Sequence, residues 1–133
     1  MQKAVLIFLS FVLAFFLLAR PSIAQAKPAA KSKSPTVSAS VAKNRKSASA
    51  TFSNLTNVKT VRYMLTYNSK SGPQGASGTI KVKPGTRSLS RSLLFGTCSK
   101  NVCTYHKNVT GVKLSVDFTL KSGGVVSFEK KLK

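Results

Sequence analysis

The chain's two cysteines and its single histidine, Cys98, Cys103 and His106, lie within one short stretch, GTCSKNVCTYH. Three chemistries use such side chains: a redox pair, a zinc site and a disulfide. A redox motif requires Cys-x-x-Cys at a helix start. A zinc site requires three or four converging ligands, but strand alternation sends His106 to the opposite face from Cys103. A hairpin that turns at residues 99–102 places Cys98 opposite Cys103, which predicts a disulfide worth about 2 kcal/mol and no metal ion or other cofactor.

Asp117 and Glu129 are the only acidic residues of the chain. A three-residue loop at 122–124 between the last two strands would place these two acids directly opposite each other on an outward face. Retaining glycosidases use carboxylates about 5 Å apart, so a catalytic pair has to be considered. Both acids lie in the middle of predicted strands on a flat face, not in a cleft. The sequence therefore favours local charge compensation and predicts no catalytic residue.

Basic residues are the abundant chemistry of this chain, which has 22 Lys and Arg and a formal net charge of +20. Such an excess favours association with polyanions and anionic surfaces. Sequence-specific reading of nucleic acid needs a groove-entering element or stacking aromatic side chains, whereas non-specific contact needs only charge. Outward positions of the predicted strands hold the candidate polyanion-binding residues, which are Arg62, Lys81, Lys83, Lys113 and Lys131.

The N-terminal residues have the layout of a secretory signal. Lys3 precedes the apolar run 4–19, and Ala24 and Ala26 form a small-residue cleavage pattern. The run is shorter than the roughly 20 residues that cross a bilayer. The sequence therefore predicts a signal peptide over 1–26 and a secreted, cell-surface or cell-envelope location, with an uncleaved membrane anchor as the alternative.

Residues 27–47 consist mainly of Lys, Ser, Ala, Pro and Thr, which predicts a flexible basic linker, because this composition cannot bury enough apolar area to offset ordering entropy. Residues 48–133 show strand alternation, most clearly in VKTVRYMLTY. Residues 68–78, NSKSGPQGASG, are the longest cluster of turn-forming residues and predict a loop. About seven short strands in this region favour an all-β fold, a small antiparallel β-sandwich.

The strand order over residues 48–133, the YMLTY strand and the hairpin-rich C-terminal half resemble immunoglobulin and fibronectin type III domains of exported bacterial proteins. This resemblance implies an immunoglobulin-like β-sandwich that serves as a binding or spacing module. It assigns no functional residue, because a fold alone does not define a function.

These features predict an exported, non-enzymatic binding module that contacts anionic polymers, envelope components or nucleic acid through Lys and Arg. One alternative is a structural or assembly module that binds another protein through an exposed strand edge or the 68–78 loop. A third possibility is a small hydrolase built on Asp117 and Glu129. The salt dependence of binding distinguishes the polyanion-binding module from the protein-binding module, because polyanion binding falls steeply as the salt concentration rises.

Overall fold

A computed structural model describes residues 33–133 of the chain. The predicted signal peptide, 1–26, and the first residues of the predicted linker lie outside the described residues. Within residues 33–133, no helix has the length and apolar character needed to span a membrane.

The described residues form nine β-strands and one short 3-10 helix, Leu55–Asn57, so the predicted all-β class is confirmed. The strand count exceeds the predicted seven because one strand precedes the predicted domain and RSLLFGTC divides into two. The strands are β1 (Thr36–Val41), β2 (Ser47–Ser53), β3 (Val58–Ser69), β4 (Gly72–Lys81), β5 (Ser88–Leu94), β6 (Gly96–Ser99), β7 (Val102–Tyr105), β8 (Thr110–Leu120) and β9 (Val125–Lys131).

All strand pairings in the described residues are antiparallel, and they form three sheets. The three-stranded sheet has the order β1-β2-β5, the four-stranded sheet has the order β4-β3-β8-β9, and β6 pairs with β7 in a hairpin. In the four-stranded sheet β3 and β8 are the central strands, so β4 and β9 are its edges.

The hydrophobic core follows from side-chain alternation along the long strands. On β3, Val61, Leu65 and Tyr67 are buried, as their alternation with polar residues predicts. The two larger sheets contribute to one cluster of buried residues. Phe52 of β2 meets Phe118 of β8 edge to face, with ring centroids 6.1 Å apart. The sheets are therefore held together by shared burial of apolar side chains.

The predicted flexible linker, 27–47, is wrong from residue 36 onward, because β1 occupies residues 36–41. Val37, Ala39 and Val41 pack against the core, and β1 pairs with β2 along its whole length. Every second residue of β1 is Ser or Thr, so its average composition is polar although one face is apolar. Composition averaged over the segment concealed this period-two pattern.

The predicted loop at 68–78 is also wrong, because β4 begins at Gly72 and continues to Lys81. The turn between β3 and β4 is tight, and the hydroxyl of Ser69 donates to the carbonyl oxygen of Gly72 at 3.1 Å. Gly78 lies opposite Tyr63, and a Cβ at Gly78 would overlap the Tyr63 ring. The large aromatic ring thus covers the glycine, which allows a strand in spite of the turn-forming composition.

Candidate anion-binding surface

Four of the five predicted polyanion-binding residues share one face of the four-stranded sheet. Antiparallel pairing fixes which side chains point the same way, since successive side chains alternate between the two faces. The fifth residue, Lys83, follows the end of β4 and is exposed. The four on the outward face are Arg62 on β3, Lys81 on β4, Lys113 on β8 and Lys131 on β9.

These four cations are not equivalent, because only some of them have an acidic neighbour. Arg62 lies opposite Asp117, and Lys113 forms an ion pair with Glu129 at 3.3 Å. The side chains of Lys113 and Glu129 are 41% and 60% exposed, so their pairing contributes little to stability. Lys131 instead lies directly opposite Lys113. Like charges in this position repel each other, and a bound anion would relieve that repulsion.

A shallow depression lies at the Lys113 and Lys131 corner of the sheet. Its volume is about 740 Å³, within the range of small-molecule sites, and Lys133 adds a third ammonium group to its lining. Asn68 and Gln74 add side-chain amides. These donors suit carboxylate, phosphate or sulfate oxygens, because charge-assisted hydrogen bonds to such groups are short and strong.

The predicted opposition of Asp117 and Glu129 is wrong. The turn after β8 spans four residues, with Leu120 N–H donating to the carbonyl oxygen of Gly124 at 2.7 Å. This turn shifts the register of β9 by two residues, so Asp117 faces Ser127, whose hydroxyl donates to it at 2.7 Å, and Glu129 faces Ser115. The two acids therefore occupy different rows of the sheet, and the direct pairing on which a hydrolase would depend is absent.

The predicted disulfide between Cys98 and Cys103 is confirmed. The two cysteines are directly opposite in the β6-β7 hairpin, and their sulfur atoms are bonded. A bridge that closes so short a loop stabilises by about 2 kcal/mol on the chain-entropy model. The pairing of Gly96 with Tyr105 also follows the predicted register.

His106 faces away from the disulfide and contacts β3. Its Nδ1 and the Tyr67 hydroxyl are 2.9 Å apart and share a hydrogen bond. The Tyr67 ring also packs edge to face on Phe95, with centroids 4.8 Å apart. Burial raises the pKa of Tyr67, because the phenolate would lose its hydration there. The neutral phenol therefore belongs to the folded state.

Tyr67→Phe tests this coupling between burial and ionisation. A raised pKa in the folded state favours folding below about pH 10, the ordinary tyrosine value, and this contribution is lost as pH rises through the folded pKa. At about pH 8 we expect Tyr67→Phe to be less stable by about 1 kcal/mol, from loss of the hydrogen bond to His106. The gap should narrow above about pH 10. Urea unfolding of both proteins at about pH 8 and at several pH values above about pH 10 measures this difference in stability. A difference that stays constant above about pH 10 would contradict a raised pKa of Tyr67 in the folded state.

The outward face of the three-stranded sheet carries an array of hydroxyl groups that the sequence reading missed. Its three rows of three aligned residues contain no charged side chain, and the Thr51 and Ser90 hydroxyl oxygens are 2.9 Å apart. Serine or threonine at every second position of SASATFS and SLSRS was the available signal. The positive charge of the described residues is therefore not spread evenly over the surface. The rows are Thr36, Ser53 and Ser88; Ser38, Thr51 and Ser90; and Ser40, Ser49 and Ser92.

Comparisons of the chain with protein-family models, with curated protein sequences and with solved structures find no match. The class of protein is given by the structure alone: an all-β protein with antiparallel sheets, an intramolecular disulfide and a basic sheet face.

Proposed function

We propose that the protein is an exported, non-catalytic binding module that contacts anionic polymers through the outward face of its four-stranded sheet. The observation that carries the proposal is the opposition of Lys113 and Lys131, with Lys133 beside them around one depression. Lys131 and Lys133 attract the phosphate, sulfate or carboxylate groups of a polymer, and Lys113 can exchange its weak, exposed ion pair with Glu129 for such a group. Each contact with the polymer releases a counterion.

The proposed architecture is an immunoglobulin-like β-sandwich. Two antiparallel sheets that contribute side chains to one core support it, with Phe52 from one sheet in contact with Phe118 from the other. This architecture leaves the outer face of each sheet free for a ligand, and the two faces differ in charge. The polymer is expected on the four-stranded side, because the hydroxyl face carries no cation among the described residues.

The proposed location is outside the cytoplasm, at the cell surface, in the envelope or in the medium. The signal-like N-terminal sequence and the Cys98–Cys103 disulfide support it, since disulfides persist in oxidising compartments. At such a location, the proposed partner is an anionic polymer of the cell envelope.

Salt dependence of binding tests the proposal. We expect the protein to be retained on heparin and on duplex DNA, with a log-log slope of affinity against salt of about −4 if about five phosphates are neutralised. Replacement of Lys113 and Lys131 by Ala should reduce the magnitude of that slope by about 2, since two phosphate contacts are lost. Fluorescence anisotropy of labelled DNA at several salt concentrations measures the slope.

A matched control removes two charges elsewhere. Arg87 and Arg91 are exposed and lie in or beside β5 of the other sheet, so their double Ala variant has the same net charge as the test variant. An equal loss of slope in both double variants would show that net charge alone drives binding. Absence of retention, or retention that ignores salt, would contradict the proposal.

A second candidate function is protein binding through the β4 edge. This strand is ten residues long, its central residues Gly75, Ala76 and Ser77 are exposed and uncharged, and Lys81 is its only charged residue. Edge strands without charges can pair with an added strand. The β9 edge differs, since it carries Glu129, Lys130 and Lys131. A complex formed by β4 pairing should persist at high salt, where polyanion binding is lost.

A further inference from the structure

We propose that a second depression, between the β1-β2 turn and the segment after β7, binds a single phosphate or sulfate group. This inference builds on the proposed function, because it places part of an anionic ligand at a defined site. The depression has a volume of about 760 Å³ and is lined by residues 44–46 and 105–110. Its size is within the range of small-molecule sites.

The side chains of this depression suit an oxyanion. Arg45, Lys46 and Lys107 provide three positive charges, and none of the lining residues is acidic. The ammonium group of Lys46 lies 4.9 Å from the centroid of the Tyr105 ring, so an aromatic face orients this cation. His106 also lines the depression, and its Nδ1 shares a hydrogen bond with the Tyr67 hydroxyl, which holds the ring in place. Arg and Lys are the usual cationic donors to phosphate, because their hydrogen bonds to its oxygens are charge-assisted.

The β1-β2 turn, which forms one wall, is fixed by its own hydrogen bonds. Ala42 N–H donates to the carbonyl oxygen of Ser47 at 2.9 Å, and Arg45 N–H donates to the carbonyl oxygen of Ala42 at 2.8 Å. Lys46 N–H donates to the side-chain oxygen of Asn44 at 3.0 Å. The two cations of this wall are therefore held at defined backbone positions, which reduces the entropy cost of binding.

Arg45 also joins this wall to the opposite one. Its guanidinium Nη1 donates to the carbonyl oxygen of Val109 at 3.0 Å, a contact across 64 residues of sequence. Arginine has five N–H donors in a planar fork, so this one bond leaves the others available for a ligand. On the second wall, Lys70 N–H donates to the carbonyl oxygen of Lys107 at 3.0 Å. The two walls are thus fixed relative to each other before a ligand arrives.

One residue on each wall has a left-handed backbone. Arg45 has φ of 50° and Asn108 has φ of 55°; this region is unusual for Arg, whereas Asn adopts it readily. Such a conformation at a residue like Arg costs about 1 to 3 kcal/mol and is maintained by the surrounding structure. Arg45 is also the residue whose side chain crosses the depression to reach Val109.

NMR titration of the full-length protein with inorganic phosphate and with inorganic sulfate, at constant ionic strength, tests the site. We expect amide shifts concentrated at residues 44–46 and 105–110. Lys107→Ala should weaken phosphate binding about tenfold, because one charge-assisted contact is lost. The matched control is Lys59→Ala, an exposed lysine at the start of β3 that should leave phosphate affinity unchanged. Shifts spread over the whole surface, or equal weakening by both variants, would overturn the inference.

Polymers then identify the source of the oxyanion. If Lys107→Ala weakens binding of heparin only, the group is a sulfate; if it weakens binding of polyphosphate only, the group is a phosphate; either result supports the site. Unchanged binding of both polymers would overturn its place in the proposed function.

The experiments distinguish failure of the proposed function from failure of the phosphate site. Phosphate shifts without retention of any polymer would contradict the proposed function alone, whereas retention that depends on Lys113 and Lys131 without phosphate shifts would contradict this site alone.

Discussion

Phe118→Ala is expected to lower the free energy of unfolding by about 3 to 5 kcal/mol, which is the usual cost of removing a buried phenyl ring. Phe118 is completely buried and its ring meets those of Phe52 and Phe128, with centroids 6.1 Å and 5.6 Å away. A domain of this size has a stability of about 5 to 15 kcal/mol, so this loss is a large fraction of the total. The chain has no Trp, and far-UV circular dichroism during denaturant unfolding is the suitable measurement.

Milder variants test whether the two larger sheets share one core even if Phe118→Ala fails to fold. Phe52 and Phe118 come from different sheets, so a double-mutant cycle of Phe52→Leu and Phe118→Leu measures coupling between sheets. We expect a coupling energy of about 0.5 kcal/mol or more, because the two rings are in contact. Strict additivity would contradict a shared core, and with it the proposed sandwich.

The control cycle combines Phe118→Leu with Val102→Ala. Val102 lies in the β6-β7 hairpin and its side chain is 71% exposed. Residues that share no partner usually give additive effects within about 0.5 kcal/mol. A coupling as large as that of the ring pair would show that the cycle reports a general change in the unfolded state instead of a contact.

Strands with bulky apolar residues at every second position could be predicted from the sequence, whereas strands of small residues could not. Val61, Leu65 and Tyr67 mark β3 clearly, because each large side chain has one buried face available. In β1 the inward residues are Val and Ala, and in β4 they include two glycines. Such residues bury little area by themselves. Their strands form because neighbouring strands supply hydrogen-bond partners and large side chains that pack over the small residues. This packing depends on the tertiary structure and is not visible in a short stretch of sequence.

The candidate site could be predicted only where the length of a turn, and hence the strand register, could be predicted. The hairpin that turns at residues 99–102 predicted that Cys98 lies opposite Cys103, and this register is correct. The β8-β9 register depended on a glycine-rich turn with several possible lengths, and the structure has the four-residue form. A shift of two residues keeps every side chain on its predicted face but changes its partner. The face of Lys113 and Lys131 was therefore predictable, whereas their direct opposition was not.

The second depression shows a different limit of sequence reading. Arg45 and Lys46 lie in a segment whose composition indicates a linker, and Lys107 lies about 60 residues further along the chain. The β1-β2 turn brings Arg45 to the carbonyl oxygen of Val109, so the cluster exists only after β1 has joined its sheet. Charges that are distant in sequence and converge through a sheet of small residues give no local motif.

Gly96→Ala is expected to have the second large effect, and the position of Gly96 explains why. This residue has φ of 154° and begins β6 directly after the buried Phe95. A Cβ at this position would overlap the carbonyl oxygen of Thr104 and the Cα of Tyr105, both of which are backbone atoms of the partner strand. Neither atom can move without displacing the hairpin, so Ala should cost about 2 to 4 kcal/mol from overlap and backbone strain together.

The displacement should also reach the proposed phosphate site, because Tyr105 lines that depression and its ring lies under the Lys46 ammonium group. We therefore expect Gly96→Ala to lower both the unfolding free energy and the phosphate affinity. Gly124→Ala is the matched control, since a Cβ there meets only Leu120 Cδ1 at 3.8 Å, an ordinary contact. Ala at such a permissive site is neutral or stabilises by about 0.4 to 1 kcal/mol through the unfolded state. Equal stability of the two variants would mean that β7 can move away from β6 at little cost, and the depression would then not be the fixed site that its hydrogen bonds describe.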